Sequence, residues 1–167
     1  MFNESTVYND TTRIIEAIKE KIKSEGYDSM VIEHAEYLIN ESHDIFNQKG
    51  LVKWLMDEDL TDEDYRSELE SWTQDSLEYL ADELRNCDYA AHEWADGDYR
   101  VIYPSDGIEY YQKHTNEVEE KAEELCATGD ISERIALGVY GCLVADYMEE
   151  LNGLADDIES YDAEDFI

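Results

Sequence analysis

The sequence predicts a mainly α-helical, bundle-like protein, and three observations predict it. Apolar residues recur at spacings of three and four along most of the chain. Residues able to cap or stop a helix fall between those stripes, and Pro104 is the one proline in 167 residues. Apolar residues make up 43% and aromatics 11%, enough to build a core, whereas disordered acidic chains are poor in aromatics.

The first 56 residues read as a helical hairpin. Asp10 or Thr11 caps a helix whose stripe is Ile14, Ile15, Ile18 and Ile22, and Gly26 ends it. Asp28 or Ser29 opens a second helix through Val31, Ala35, Leu38, Ile39, Ile45 and Phe46, closed by Lys49 and Gly50. Leu51 to Met56 is a dense apolar segment that suits a short docking helix. Thr61 with Asp64 resembles a capping box in front of Leu69, Trp72, Leu77, Leu80, Ala81 and Leu84. That helix continues, with or without a break near Asn86, to Asp96, where Gly97 stops it.

Tyr99 to Tyr103 is the one candidate strand, a minor element at most, because a lone strand needs a partner. Ser105 or Asp106 starts another helical stretch to about Ala127. After Gly129, Asp130 caps a helix carrying Ile131, Ile135, Val139, Leu143, Tyr147 and Leu151 on one side, with Leu137, Tyr140, Val144 and Met148 broadening that face. This is the expected core helix. Its small residues Gly138, Gly141 and Ala145 suit close packing, either within the monomer, which is favoured, or across a homodimer.

Charge is unevenly placed. Residues 1–56 hold ten acids and six bases, a net of −4, and residues 57–167 hold 34 acids and six bases, a net of −28. A boundary is therefore expected near Asp57, with a mildly acidic hairpin (1–56) packed against a strongly acidic helical region (57–167) as one domain. The first ten residues lack the basic start and apolar run of a signal peptide, and no stretch approaches the ~18 apolar residues of a membrane span. A cytoplasmic location without membrane contact is expected. Cys87, Cys126 and Cys142 form no CxxC pair and no disulfide framework, which predicts reduced thiols.

Motifs that would carry chemistry fail on their own terms. Asp57, Asp59, Thr61 and Glu68 occupy positions 1, 3, 5 and 12 of a calcium loop, but Asp62 stands where the turn requires glycine. His92, Glu93 and Asp96 depart from the zinc-protease pattern at the second ligand, and His34 and His43 lie about half a turn out of phase on one predicted helix. No phosphate-cradling loop, nucleophile elbow or dinucleotide fingerprint is present. The sequence therefore predicts no metal, no cofactor and no enzyme.

What remains is the charge itself. With 44 Asp and Glu against 12 Lys and Arg, the chain carries −32. Duplex DNA carries one charge per ~1.7 Å of axis, so the protein holds the charge of a ~54 Å duplex segment. A compact domain of this length has a radius of gyration of ~15 Å, so the charge densities are comparable. Such a surface repels nucleic acid and anionic membrane, and attracts proteins whose grooves hold phosphate. Solubility needs a net charge of only about 2 to 8, and the excess costs stability through self-repulsion.

The string Ala90-Ala91-His92-Glu93-Trp94-Ala95-Asp96 resembles a segment of the Ocr-type phage antirestriction proteins. The similarity continues loosely through Ile102, Tyr103, Asp106 and Ile108, then through Asp130, Ile131, Ile135, Tyr140, Leu143, Asp146 and Glu149. It covers less than half of the chain. The resemblance implies an α-helical, dimeric DNA mimic that occupies the DNA groove of restriction enzymes. This chain departs from that pattern in its longer, less acidic N-terminal region and its shorter acidic tail.

Charge and resemblance together lead to the expectation of a phage or mobile-element protein that blocks a host DNA- or RNA-binding defence complex, of restriction-modification or CRISPR type. The candidate contact residues are Asp57, Glu58, Asp59, Asp62, Glu63 and Asp64; Glu117, Glu119, Glu120, Glu123 and Glu124; and Asp156, Asp157 and Glu159. Helical acids three and four apart repeat at ~5 to 6 Å along one face. Two other classes fit the composition: an acidic adaptor for a basic protein that does not compete with nucleic acid, and a calcium-responsive acidic protein.

Overall fold

The computed structural model describes residues 2–58, 60–102, 105–125 and 131–167, of which 98–102, 105–108, 131 and 132 are described by backbone alone. These residues form eight α-helices and a terminal 3-10 turn, with no strand among them. The helices are α1 Glu4–Ser24, α2 Ser29–Glu41, α3 Gln48–Asp57, α4 Asp62–Arg85, α5 Asp88–Ile102, α6 Ser105–Lys113, α7 Thr115–Glu124 and α8 Ile131–Glu159, before the turn Ala163–Phe166. The protein is thus mainly α-helical, as the apolar stripes predict.

The chain divides into two compact units, Met1–Arg85 with Asn152–Ile167, and Asn86–Leu151. The charge step near Asp57 lies inside the first unit. That unit holds 28 acids and eight bases, a net of −20, and the second holds 16 and four, a net of −12. The boundary at Leu151 falls within α8, which contributes to both cores.

In the first unit, α1 starts about two turns before the expected Asp10 or Thr11. The Asn3 side chain caps it by accepting from the Thr6 amide at 2.9 Å, and Val7 and Thr11 extend the buried stripe of Ile14, Ile18 and Ile22 towards that end. Thr11 is tolerated inside the helix because its hydroxyl donates back to the Val7 carbonyl at 2.7 Å. Gly26, at φ 79°, turns the chain after α1, and Asp28 caps α2 through the Met30 amide at 2.9 Å.

The second helix ends at Glu41, short of the expected Lys49 and Gly50. Asn47 supplies a new cap, accepting from the Gly50 amide at 2.9 Å, so Lys49 and Gly50 belong to α3. Ile45 and Phe46 are buried in the intervening turn rather than on a helix. Phe46 adopts φ 53°, held there by its amide donating a hydrogen bond to Ser76 Oγ at 3.1 Å and by an edge contact with Trp72 at 5.4 Å. The Thr61–Asp64 capping box forms in both directions, at 3.1 and 3.2 Å, and Leu69, Leu77, Leu80, Ala81 and Leu84 of α4 are buried behind it.

In the second unit, α5 passes through Gly97 and continues to Ile102. The expected strand over 99–103 is therefore helix as far as Ile102, with Tyr103 outside the described residues. Continuing the helix pairs backbone groups that a lone strand would leave unsatisfied. The single stretch expected from Ser105 to about Ala127 is two helices, broken at His114. There the His114 ring meets Glu117 at 3.0 Å, and the Thr115 hydroxyl donates to the Tyr111 carbonyl at 2.8 Å. The expected boundary residues Ala127, Gly129 and Asp130 lie outside the described residues.

Ala95, Val118, Val139, Cys142 and Leu143 form the core of this unit. At Gly138 a Cβ would collide with the Val118 carbonyl, so this small residue serves a close helix contact within the chain. Leu137 departs from the expected core face and is 44% exposed. At 3.6 residues per turn it lies roughly 160° around α8 from Val139, so burying one exposes the other.

Candidate partner-binding surface

The predicted acids occupy three places, and the structure uses them differently. Asp57 ends α3, Glu58 follows it, and Asp62, Glu63 and Asp64 form the first turn of α4, all exposed; Asp59 lies outside the described residues. Three carboxylates at the start of a helix are favoured by its dipole. The Thr61 hydroxyl and amide both donate to Asp64 and hold its carboxyl below the usual carboxylate range. Residues 62 to 68 are helical, so the calcium-loop spacing is not realised as a loop. Among the described residues no group of three or more His, Cys, Asp or Glu side chains is arranged to hold a metal ion.

The second group lies on α7, which buries only Val118 and Ala122. Glu117, Glu119, Glu120, Glu123 and Glu124 are all exposed. At 3.6 residues per turn, these five side chains spread over a roughly 160° sector on the opposite side of the helix. Three of them are steadied at the surface: Glu117 by His114, Glu119 by the Tyr111 hydroxyl at 2.8 Å, and Glu124 by Lys121 at 3.1 Å.

This face runs into a cavity of about 370 Å³ between α7 and α8, lined by Glu117, Glu120, Glu124, Tyr110, Cys142 and Asp146 among others. Partial burial, and then the neighbouring Glu149, raise the Asp146 carboxyl above its ordinary value. Burial, and then Asp146, push the Tyr110 phenol up to about 12, and burial raises the Cys142 thiol. Asp146 and Glu150 thus add a second acidic row beside α7. The sequence carried a signal for them in the i, i+3 and i, i+4 spacing of Asp146, Glu149 and Glu150, masked by the apolar pattern of the same helix.

The third group makes contacts within the chain. Asp156 and Glu159 are exposed, but both accept from Arg85 Nη2, at 2.7 and 2.6 Å, tying the end of α4 to the end of α8. Asp157 accepts from the Tyr27 hydroxyl at 2.5 Å. These three acids therefore have donors within the chain.

In the string Ala90 to Asp96, the three alanines are buried, while His92 and Glu93 are exposed and the His92 ring nitrogen lies 2.8 Å from the Tyr140 hydroxyl. These three alanines therefore serve packing. No helix among the described residues is long and apolar enough to cross a membrane. No protein family, curated protein or solved structure matches this chain.

Proposed function

We propose that this protein is an acidic nucleic-acid mimic, encoded by a phage or mobile element, that inhibits a host DNA- or RNA-binding defence protein by occupying its basic groove, without an enzymatic role. The observation that carries the reading is the glutamate face of α7. Its ten residues span ~15 Å and hold five glutamates and one lysine, so net charge falls roughly every 4 Å, against 3.4 Å per charge along one DNA strand. The acids of α8 add a second row, and the α3–α4 junction offers a further exposed set in the first unit. The similarity to Ocr-type proteins favours a restriction enzyme as target, with CRISPR complexes the other class of groove that fits.

Because each exposed ion pair is worth about 0 to 1 kcal/mol, no single carboxylate is essential, and binding weakens steeply with salt. The test starts from a target captured from a host lysate and measures displacement of labelled DNA or RNA from it. Changing Glu117, Glu119, Glu120, Glu123 and Glu124 together to Gln should lower affinity from several-fold to hundreds-fold, with helicity unchanged. Simultaneous binding of nucleic acid and this protein to the target's groove would instead support the adaptor class.

A further inference from the structure

Most of the described Lys and Arg side chains meet a carboxylate, as Arg85 meets Asp156 and Glu159, and Lys21 lies over the Tyr161 ring. Helix α3 departs from this. Among the described residues, Lys49 and Lys53 pair with no carboxylate, and Asp57 and Glu58 at the other end of the helix pair with no cation. At 3.6 residues per turn, Lys49, Gly50, Lys53, Trp54 and Asp57 share a roughly 140° sector opposite the buried Leu51, Val52 and Leu55. All five are exposed, and Trp54 keeps 46% of its surface in water. The face thus presents an open indole between unpaired charges of both signs, the lysines towards the start of the helix and the carboxylates at its end.

That order decides the occupant. Read backwards, the charges along α3 are their own complement. A second copy laid antiparallel across α3 brings Lys49 and Lys53 of each chain to the Asp57–Glu58 end of the other. Each indole then meets the stretch around Gly50 of the facing helix, where no side chain stands in its way and a lysine lies beside its ring. A polyanion such as nucleic acid would satisfy the lysines alone, against the field of the whole chain and with Asp57 at the contact. A basic partner would satisfy the carboxylates and be opposed by the lysines. Only a face carrying both signs in reverse order matches all four charges.

We infer that α3 is a self-association surface, a two-fold antiparallel contact between the α3 helices of two copies of this chain. Two chains of −32 repel at long range, so salt decides whether contact is reached. The Debye length is ~30 Å at 0.01 M and ~8 Å at 0.15 M, and charges in contact are screened less than distant ones. Added salt therefore removes the repulsion before it removes the pairing, and the dimer forms as salt rises. The α7 face behaves in the opposite sense, since its attraction to a basic groove weakens. The α3 helix lies in the N-terminal region where the chain departs from the Ocr-type pattern. The pairing takes up Asp57 and Glu58 of the junction and none of the α7 glutamates, so loss of the dimer and loss of mimicry are separate outcomes.

Sedimentation equilibrium of the full chain tests this at ~0.01 M and ~0.15 M salt. A monomer is expected at the lower salt and a reversible monomer–dimer equilibrium at the higher. Trp54→Ala should weaken association about tenfold or more, the scale of an aromatic anchor. Lys53→Glu should abolish it by setting like charges opposite each other, and adding Asp57→Lys to that variant should restore most of it, because exchanging the signs recreates the complement. All these positions are exposed, so circular dichroism should show unchanged helicity, and the restored double variant excludes misfolding as the cause of the loss. A monomer at both salt concentrations, or a dimer that Trp54→Ala and Lys53→Glu leave intact, would overturn the surface. A loss in Lys53→Glu that Asp57→Lys does not repair would overturn the antiparallel arrangement.

Discussion

The two units carry almost the same charge per residue and dispose of it in opposite ways. In the first unit, five carboxylates are tied to donors far away in sequence. Asp10 accepts from the Tyr65 hydroxyl at 2.7 Å, Glu25 from Tyr161 at 2.6 Å, Asp157 from Tyr27, and Asp156 and Glu159 from Arg85. In the second, the α7 glutamates stand on a short helix whose buried side is only Val118 and Ala122, and their contacts lie at the surface. The number of acids therefore does not mark a binding face. What separates the two sets is where the donor lies: His114, Tyr111 and Lys121 are within eight residues of the α7 glutamates they meet, whereas the donors in the first unit are 55 or more residues away in sequence, and that is a tertiary property.

The comparison breaks most visibly in the cores. Leu80 is fully buried on α4, and Leu80→Ala is expected to cost about 2 to 5 kcal/mol, read from denaturant unfolding. The five-fold glutamate-to-glutamine change on α7 should do the reverse, holding or raising stability by easing self-repulsion, while it removes affinity. A large loss of stability from the α7 change would mean that those glutamates are structural after all. In the second unit, Gly138→Ala places a Cβ against the Val118 carbonyl, which is backbone and cannot rotate away. The expected cost is about 1 to 3 kcal/mol, with α7 as the element that loosens; protection of its amides in hydrogen exchange reports it.

Much of this fold was legible in residue spacing, and the failures have local causes. Stripes such as Ile14, Ile18 and Ile22, the cap at Asp28 and the Thr61–Asp64 box are set by neighbours in sequence, and each forms as expected. Ile45 and Phe46 continued the apolar pattern of α2, yet Asn47 and Ser76 hold them in a turn; Ser76 is 30 residues away from Phe46. Gly97 is read as a stop, but nothing lies within 4 Å of where its Cβ would be, and α5 runs through it. For the surface, the α7 face was readable because one helix sets its geometry. The internal contacts of Asp156, Asp157 and Glu159 were not, since their donors Arg85 and Tyr27 lie more than 70 residues away.

The tyrosine–carboxylate pairs of the first unit give a smaller and more specific effect. Tyr161 is nearly buried, and Tyr161→Phe removes its bond to the half-buried Glu25, which water can then reach; about 1 kcal/mol is expected by thermal or denaturant unfolding. Burial, and then the bonded carboxylate, raise the phenols of Tyr65 and Tyr161 above their ordinary value. A raised folded-state value means that the folded state keeps the proton longer than the unfolded one. The stabilisation is therefore complete below the ordinary phenol range near pH ~10 and is lost as pH rises above it. The first unit should show this alkaline loss, and Tyr161→Phe should reduce it.

The smallest expected effect sharpens the comparison from the other side. Asp146 has its carboxyl raised by partial burial and then by Glu149, with Glu117 and Glu150 adding to the shift and His114 opposing it. A carboxyl raised in the folded state makes the fold more stable at low pH and less stable as pH climbs from the unfolded value near ~4 through the raised one; above both, the penalty is constant. Asp146→Asn removes the charge that the second unit tolerates poorly. At neutral pH it should stabilise the protein, by about 0.5 kcal/mol or less because the side chain remains largely solvated. The gain should fade as pH drops towards 4, where the native carboxyl is itself protonated, and should shrink with added salt. Differential unfolding of the two proteins across that range checks it. A destabilising Asp146→Asn at neutral pH would show that this carboxylate, like Asp156 and Glu159, is held by a donor within the chain, and would take the acidic row of α8 out of the proposed binding surface.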